Sequence, residues 1–145
     1  MKYRKLAKLG IEVSALGFGA MRLPTNGSEE NIDEASVNQM MSYAFDNGVN
    51  YVDTAYPYHG ENSETVVGNI LSNGYRDRVY IATKSPTWAI ETTEDFDKYL
   101  NDQLHKLQVD HIDFYLLHNL HSEAWNKIKN LNALEWGEKL FQTVE

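Results

Sequence analysis

The sequence predicts an α/β protein built on a parallel sheet. Four short apolar segments alternate with segments that have the 3.6-residue apolar spacing of helices. The apolar segments begin about 30 residues apart, which is the length of a strand–helix–strand unit. Parallel strands need such crossover helices between them, and the helices cover the sheet. No linker or low-complexity tract interrupts the pattern, so residues 1–145 are predicted to form a single domain.

The elements follow one another regularly along the chain. A small hairpin is expected first, at residues 3–9 and 11–14, with its turn at Gly10. Core strands are predicted at residues 15–21, 49–53, 79–84 and 112–118, and helices at 33–47, 63–72, 93–107, 124–129 and 132–144. The first helix places Val37, Met40, Met41, Ala44 and Phe45 on one face and ends at Gly48. Asn62 or Ser63 is a candidate cap for the second helix, and Thr92 or Thr93 for the third.

Two architectures fit this order of elements, a doubly wound open sheet and a (β/α)₈ barrel. A dinucleotide-binding open sheet favours Gly-x-Gly-x-x-Gly after its first strand. Gly17 and Gly19 supply the first two glycines, but Arg22 stands where the third belongs. A barrel of eight units needs about 250 residues, and this chain holds four units. The barrel interpretation therefore predicts a half-barrel, the first four βα units, preceded by the hairpin.

Composition excludes several classes of function. The formal net charge of −8 argues against nucleic acid or an anionic membrane surface as the main partner. Because there is no cysteine, the chain holds no disulfide, thiolate zinc site or cysteine-bound iron–sulfur cluster. No segment is apolar over the length of a membrane span, and the basic start is not followed by a signal-peptide core. A cytoplasmic protein is expected.

Polar side chains stand at the ends of three of the four core strands, namely Asp53, Lys84 and His118. Tyr58 follows in the Pro/Gly-containing loop after the second strand. The carboxyl ends of parallel barrel strands meet at one rim, where active sites of this architecture lie. We therefore expect the four side chains to converge on one pocket although they are distant in sequence.

An acid, a lysine, a tyrosine and a histidine together suit the reduction of a carbonyl group. A free phenol has a pKa near ~10 and donates its proton poorly at neutral pH. A neighbouring ammonium stabilises the phenolate that forms, an acid holds that ammonium, and a histidine can orient the carbonyl oxygen. The hydride must come from another source, and a nicotinamide cofactor is the usual one.

The motifs resemble the aldo-keto reductase family. Asp53-Thr54-Ala55, Tyr58 with Gly60, Ala82-Thr83-Lys84 and Leu116-Leu117-His118 are similar to its catalytic tetrad in order, spacing and strand context. The resemblance covers essentially the whole chain and is nearest to a bacterial branch of oxidoreductases. It implies that Tyr58 is the general acid, Lys84 its ammonium partner, Asp53 the partner of Lys84, and His118 the group that orients the carbonyl.

The resemblance also implies a cofactor and a substrate class. Gly19-Ala20-Met21, with Asp53, would lie against the nicotinamide end of NADPH, and Trp88 would shape the pocket of a small aldehyde or ketone. In the family the second half of the barrel holds the rest of the cofactor. This chain is thus predicted to be a truncated N-terminal half in which most of the cofactor site is absent.

Two further interpretations accompany this prediction. Half a barrel leaves its outer strands unpaired, so self-association or pairing with a separate second half is expected as the alternative to catalysis. A metal site made of His59, Glu61, His118 and His121 is disfavoured, because nothing in their spacing enforces ligand geometry. Met21, Met40 and Met41 are expected to be core residues.

Overall fold

The computed structural model describes residues 1–142. Within these residues the chain forms six strands and five α-helices in the predicted order. The strands are β1 (Tyr3–Leu6), β2 (Ile11–Ser14), β3 (Phe18–Gly19), β4 (Tyr51–Asp53), β5 (Tyr80–Ser85) and β6 (Phe114–Leu117). The helices are α1 (Glu34–Asp46), α2 (Ser63–Leu71), α3 (Glu94–Leu107), α4 (Ser122–Asn130) and α5 (Ala133–Gln142), with a 3₁₀ turn at Arg76–Arg78. The end of the last predicted helix, at Val144, lies outside the described residues.

The four core strands form one parallel sheet in the order β3-β4-β5-β6. Each strand pairs with the next core strand in sequence. The chain between paired strands contains α1 for β3 and β4, α2 for β4 and β5, and α3 for β5 and β6. The parallel sheet that the sequence predicts is confirmed. The first core strand is shorter than expected, because only Phe18 and Gly19 of the predicted segment 15–21 pair with β4.

The hairpin of β1 and β2 is antiparallel and lies at the amino ends of the core strands. The Asn50 side chain joins the two units, because its Oδ1 accepts from the Ser14 amide at 2.7 Å and its Nδ2 donates to the Glu12 carbonyl at 2.9 Å. The Tyr3 hydroxyl donates to the Gly48 carbonyl at 2.9 Å. The hairpin therefore covers the end of the sheet opposite the rim where the strands finish.

Helix α1 buries Val37, Met41 and Phe45 against the sheet. The prediction for two of the three methionines is wrong, since Met40 is 47% and Met21 56% exposed while Met41 is fully buried. Met40 lies at the edge of the apolar stripe, where α1 turns toward solvent. Asp33 caps the helix by accepting from the Ser36 amide at 3.1 Å.

The expected caps of α2 and α3 do not form as predicted. Asn62 and Thr93 occupy the cap positions, but neither side chain makes a capping hydrogen bond. Asn62 instead donates to the carbonyls of Glu30 and His59, at 3.2 and 3.0 Å. Asp95, in the first turn of α3, accepts from the Glu91 and Thr92 amides. Thr93 Oγ1 donates to the Leu131 carbonyl at 3.2 Å, so both cap residues use their side chains in long-range contacts instead of capping hydrogen bonds.

Helices α2 and α3 approach each other very closely at Gly68. A Cβ built on Gly68 would lie 2.5 Å from the carbonyl oxygen of Leu107. Both helices pack on the sheet, where Val67, Ile70, Leu71 and Leu107 join Val52 and Ile81 in the main core. A second, smaller cluster of Ile90, Phe96, Ile128 and Ala133 holds α4 and α5 against α3.

Candidate active site

Asp53, Lys84 and His118 lie at the carboxyl ends of β4, β5 and β6. The register pairs Asp53 with Ala82, and Lys84 with Leu116. Side chains alternate along a strand, and His118 comes two residues after Leu116. Asp53, Lys84 and His118 therefore belong to the face that α2 and α3 do not cover. Three aromatic residues on that face are half-buried, and Tyr51 and Tyr80 pack tilted and edge-on, respectively, against Phe114.

The ammonium of Lys84 is the centre of the site. It donates to Asp53 Oδ1 and to the Thr54 carbonyl, both at 2.7 Å, and lies 3.4 Å from the Tyr58 hydroxyl oxygen. The side chain is only 14% exposed, whereas that of Asp53 is 35% exposed. Two short contacts to oxygen acceptors therefore fix the charge beside the phenol. The Thr54 carbonyl was not foreseen from the sequence, because a main-chain ligand carries no residue signature.

Tyr58 is held by the loop between β4 and α2. Its amide donates to the Ala55 carbonyl, and its own carbonyl accepts from the Ser63 amide, both at 3.2 Å. Lys84 Nζ lies 5.0 Å from the centroid of the phenol ring, and the His118 ring meets it edge-on at 5.9 Å. The phenol thus stands between an ammonium and an imidazole.

His118 follows β6 and is fixed through its main chain. Its amide donates to the Ser85 carbonyl at 3.0 Å, and its carbonyl accepts from the Thr87 hydroxyl at 2.6 Å. Burial, and next the charge of Lys84, lower the pKa of His118, while Asp53 acts in the opposite direction. The imidazole is therefore neutral at neutral pH. Nδ1 is buried without a hydrogen-bond partner, so Nε2 is the ring nitrogen that is left to contact a ligand.

A cavity of about 890 Å³ opens beside these groups. Tyr58, His118 and Trp88 line one side, and residues of the loop after β3 line the other. The Trp88 ring lies 5.2 Å from the His118 ring and is 48% exposed. Trp88 thus lies where the sequence predicts a pocket residue, at the mouth of the cavity.

The three consecutive residues that are expected at the cofactor, Gly19, Ala20 and Met21, differ in exposure and in surroundings. Gly19 is on the open face, paired in register with Asp53, and a Cβ built on it meets no atom within 4 Å. Ala20 is buried, and its amide donates to the Asp53 carbonyl at 2.8 Å. Met21 is exposed and lines the cavity. Open space therefore lies beside Gly19 and Asp53, and Ala20 contributes through its backbone.

A buried polar network lies behind Lys84, on the helix side of the sheet. Glu64 Oε1 accepts from the Thr83 hydroxyl at 2.6 Å and from Gln103 Nε2 at 2.5 Å. Gln103 Nε2 also reaches the Lys84 carbonyl at 3.1 Å, and its Oε1 accepts from the Tyr115 hydroxyl at 2.6 Å. Burial raises the pKa of Glu64 against these hydrogen bonds. The signal for this network is a carboxylate on the apolar face of α2, three residues before Val67.

No group of three histidine or acidic side chains within residues 1–142 is arranged to hold a metal. Both ring nitrogens of His59 already make hydrogen bonds to the main chain. Among the described residues, no helix combines the length and apolar character that a bilayer crossing requires.

Sequence comparison gives the family. A model of the aldo/keto reductase family matches residues 15–134. The chain belongs to the aldo/keto reductase family. Probable aldo-keto reductase 1 of Glycine max is 33% identical over an alignment of 124 residues, and the match covers 80% of this chain and 36% of that protein.

Solved structures of aldo-keto reductases have the same fold. The holo form of the Bacillus halodurans enzyme matches with a TM-score of 0.70 and 31% identity, over 90% of this chain and 47% of that one. A Klebsiella pneumoniae aldo-keto reductase in complex with NADPH matches with a TM-score of 0.67 and 26% identity, over 84% and 43% respectively. The chain thus spans half or less of the length of these relatives. The predicted architecture, the first four βα units of a barrel after a hairpin, is confirmed.

Proposed function

We propose that the protein containing this chain reduces a small aldehyde or ketone to an alcohol with NADPH. The observation that carries the proposal is the position of Lys84 Nζ, 2.7 Å from Asp53 and 3.4 Å from the Tyr58 hydroxyl. Tyr58 lines the same cavity as His118 and Trp88. Membership of a family of reductases supports the reaction class.

Tyr58 is the proton donor in this proposal. As its O–H bond breaks, the proton passes to the carbonyl oxygen of the substrate and forms the alcohol O–H. The phenolate that remains faces the Lys84 ammonium, which Asp53 and the Thr54 carbonyl hold in place. An oriented positive charge at the site of developing negative charge stabilises the transition state more than the ground state.

His118 orients the substrate. Its neutral imidazole presents Nε2–H to the cavity, because Nδ1 is buried. A hydrogen bond from Nε2 to the carbonyl oxygen would place that oxygen between His118 and Tyr58, whose rings are 5.9 Å apart. Trp88 lies on the other side of His118 and would contact the body of the substrate.

The cofactor supplies the hydride to the carbonyl carbon when it is bound. Gly19, Ala20, Met21 and Asp53 are the residues of this chain that would hold its nicotinamide end. The open space beside Gly19 fits a flat ring there. The choice of NADPH is supported by the Klebsiella pneumoniae relative, whose structure contains NADPH. We also assign residues 1–145 to one domain, the N-terminal half of a barrel. The cytoplasmic location expected from composition stays a prediction.

Replacement of Tyr58 by phenylalanine tests the proposal. Tyr58→Phe keeps the ring and removes the proton, so carbonyl reduction should fall by at least about 10²–10⁴-fold, the usual contribution of a general acid. The assay follows NADPH oxidation with a panel of small aldehydes and ketones. Tyr43→Phe is the matched control, because Tyr43 is 72% exposed on α1. Turnover that survives in Tyr58→Phe would remove Tyr58 from the mechanism.

A second candidate function is favoured by the uncovered face of the sheet. Leu116 is 41% exposed there, and β3 and β6 each pair with a strand on one side only among the described residues. Exposed strand edges invite association. We therefore also propose that the chain self-associates, or pairs with a separate second half, through this face. Sedimentation at micromolar concentration should then show a species heavier than the monomer, and a stable monomer contradicts this function.

A further inference from the structure

His59 joins two loops that both line the candidate cavity. One is the loop between β4 and α2, which carries Tyr58. The other is the loop between β3 and α1, residues 20–33, here called the front loop. Only 3% of the His59 surface is exposed, although the residue lies in a loop. A buried imidazole in such a place needs partners for both nitrogens.

The ring makes one hydrogen bond with each nitrogen. The Leu23 amide donates to Nε2 at 3.0 Å, and Nδ1 lies 2.7 Å from the Glu29 carbonyl oxygen. An amide N–H only donates and a carbonyl only accepts, so the proton must be on Nδ1 and the ring must be neutral. Both bonds go to main-chain groups near the two ends of the front loop. A single side chain therefore fixes the loop at two points.

The backbone at His59 has an unusual conformation. His59, Gly60 and Glu61 have φ values of +54°, +59° and +71°, three consecutive left-handed residues. Such a conformation costs free energy for residues other than glycine and persists where the surrounding contacts impose it. Here it turns the imidazole back toward the front loop.

The front loop supplies more of the residues that line the cavity than any other segment. Arg22, Thr25, Gly27, Ser28 and Glu29 all line the cavity. Leu23 and Ile32 anchor the two ends in the core. Between these anchors, the side-chain hydrogen bonds from outside the loop come from His59 and, at the Glu30 carbonyl, from Asn62.

We propose that His59 is a positioning residue that holds the front loop as a wall of the ligand cavity and thereby sets ligand affinity. The part of this inference that concerns substrate rests on the proposed carbonyl reduction. His59 does not touch the Lys84 ammonium, whose contacts are Asp53, Thr54 and Tyr58. Loss of the His59 bonds should therefore weaken ligand binding and leave the proton-transfer step intact.

Two substitutions separate the two bonds. The glutamine of His59→Gln is long enough to place an acceptor near the position of Nε2, so it should retain the hydrogen bond from the Leu23 amide. The shorter asparagine of His59→Asn should place a donor near the position of Nδ1, so it should retain the bond to the Glu29 carbonyl and lose the bond from Leu23. His59→Ala loses both, and His105→Gln is the control, since His105 is exposed on α3. Amide hydrogen exchange at residues 22–32 reports the state of the loop directly.

The exchange experiment has two decisive outcomes. The Leu23 amide should exchange at least about fivefold faster in His59→Ala and His59→Asn than in His59→Gln, which is what one net hydrogen bond is worth. Amide exchange of β5 should be equally slow in His59→Gln and His59→Asn. A general loss of stability would speed exchange of β5 as well, so it could not explain a difference at Leu23 alone. Equal exchange of Leu23 in His59→Gln and His59→Asn would overturn the proposal.

Kinetics then connect the loop to function. His59→Asn should raise KM for the carbonyl substrate about fivefold. Its kcat should stay within about twofold of the wild-type value, since the substitution does not remove the contact between Tyr58 and Lys84. A lowered kcat with unchanged KM would overturn the positioning role. If the wild-type protein reduces no carbonyl, the proposed function fails, and the exchange result still decides whether His59 holds the front loop.

Discussion

Strand β5 presents two neighbouring residues to opposite environments. Lys84 faces the open side of the sheet, where its ammonium contacts a carboxylate and stays near solvent. Thr83 faces the helices, where its hydroxyl bonds to the fully buried Glu64. Among the described residues, no cation forms an ion pair with Glu64, and its Oε2 has no hydrogen-bond partner. Asp53 therefore holds the Lys84 ammonium that we propose takes part in catalysis, whereas Glu64 links β5 to α2 and α3.

The difference shows how alternation along a strand separates function from stability. Asp53 and Glu64 are both acidic residues close to β5, yet only the first lies on the face that borders the cavity. Changes on the open side should affect catalysis with little effect on folding. Changes on the helix side should affect folding with little effect on catalysis per folded molecule.

The largest effect is expected on the open side. Lys84→Met removes the ammonium beside Tyr58, so carbonyl reduction should fall by about 10²–10⁴-fold. The free energy of unfolding should change by only about 1 kcal/mol, because the lost ion pair is partly exposed. Steady-state assays and urea titrations measure the two quantities, with Lys129→Met, an exposed lysine on α4, as control. Activity within tenfold of wild type would contradict the assigned role.

An intermediate effect is expected on the helix side of the sheet, at Thr83. Thr83→Val preserves shape but removes the hydroxyl that donates to Glu64 and accepts from Gln103. The free energy of unfolding should fall by about 1–3 kcal/mol, the cost of leaving buried polar groups without partners. Activity per folded molecule should be retained. Thr65→Val, at an exposed position of α2, is the matched control. If Thr83→Val lost activity but not stability, the separation of the two faces would be wrong.

The smallest effect concerns pH. Because the pKa of Glu64 is raised in the folded state, the unfolded chain loses this proton first as pH rises above about 4.3. The folded state then binds more protons than the unfolded state, so this residue lowers stability as pH rises through that range. Glu64→Gln does not titrate, and its stability relative to wild type should increase as pH rises above about 4.3.

Urea titrations at several pH values measure this change. Glu135→Gln, an exposed position on α5, is the control and should show no such trend. A difference between Glu64→Gln and wild type that stays constant across the range would mean that Glu64 has the same proton affinity in both states.

Much of the sheet could be predicted because apolar periodicity reports burial directly. The ends of β4 and β5 could be predicted to within one residue, since the apolar runs stop at Asp53 and Lys84. The predictions that needed exact geometry were less successful. Met40 is on the predicted apolar face but outside the contact with the sheet. Asn62 and Thr93 occupy the predicted cap positions, but their side chains bond to other groups instead of capping the helices.

The parts of the candidate site that sequence could not supply are main-chain groups and loop conformations. The Thr54 carbonyl contacts Lys84 through an atom that every residue possesses. His59 acquires its role from a left-handed backbone that no periodicity encodes. Glu64 was detectable in principle, because a charge on an apolar helix face indicates a buried partner.

The close approach of α2 and α3 at Gly68 has a consequence for the order in which the chain folds. A glycine inside a helix costs about 1 kcal/mol relative to alanine, and α2 has only nine residues. A helix this short is not stable alone in water. Helix α2 therefore forms when α3 docks on it, with Leu107 against Gly68. The loop that carries Tyr58 runs into α2, so we expect its conformation to depend on the same docking of α3.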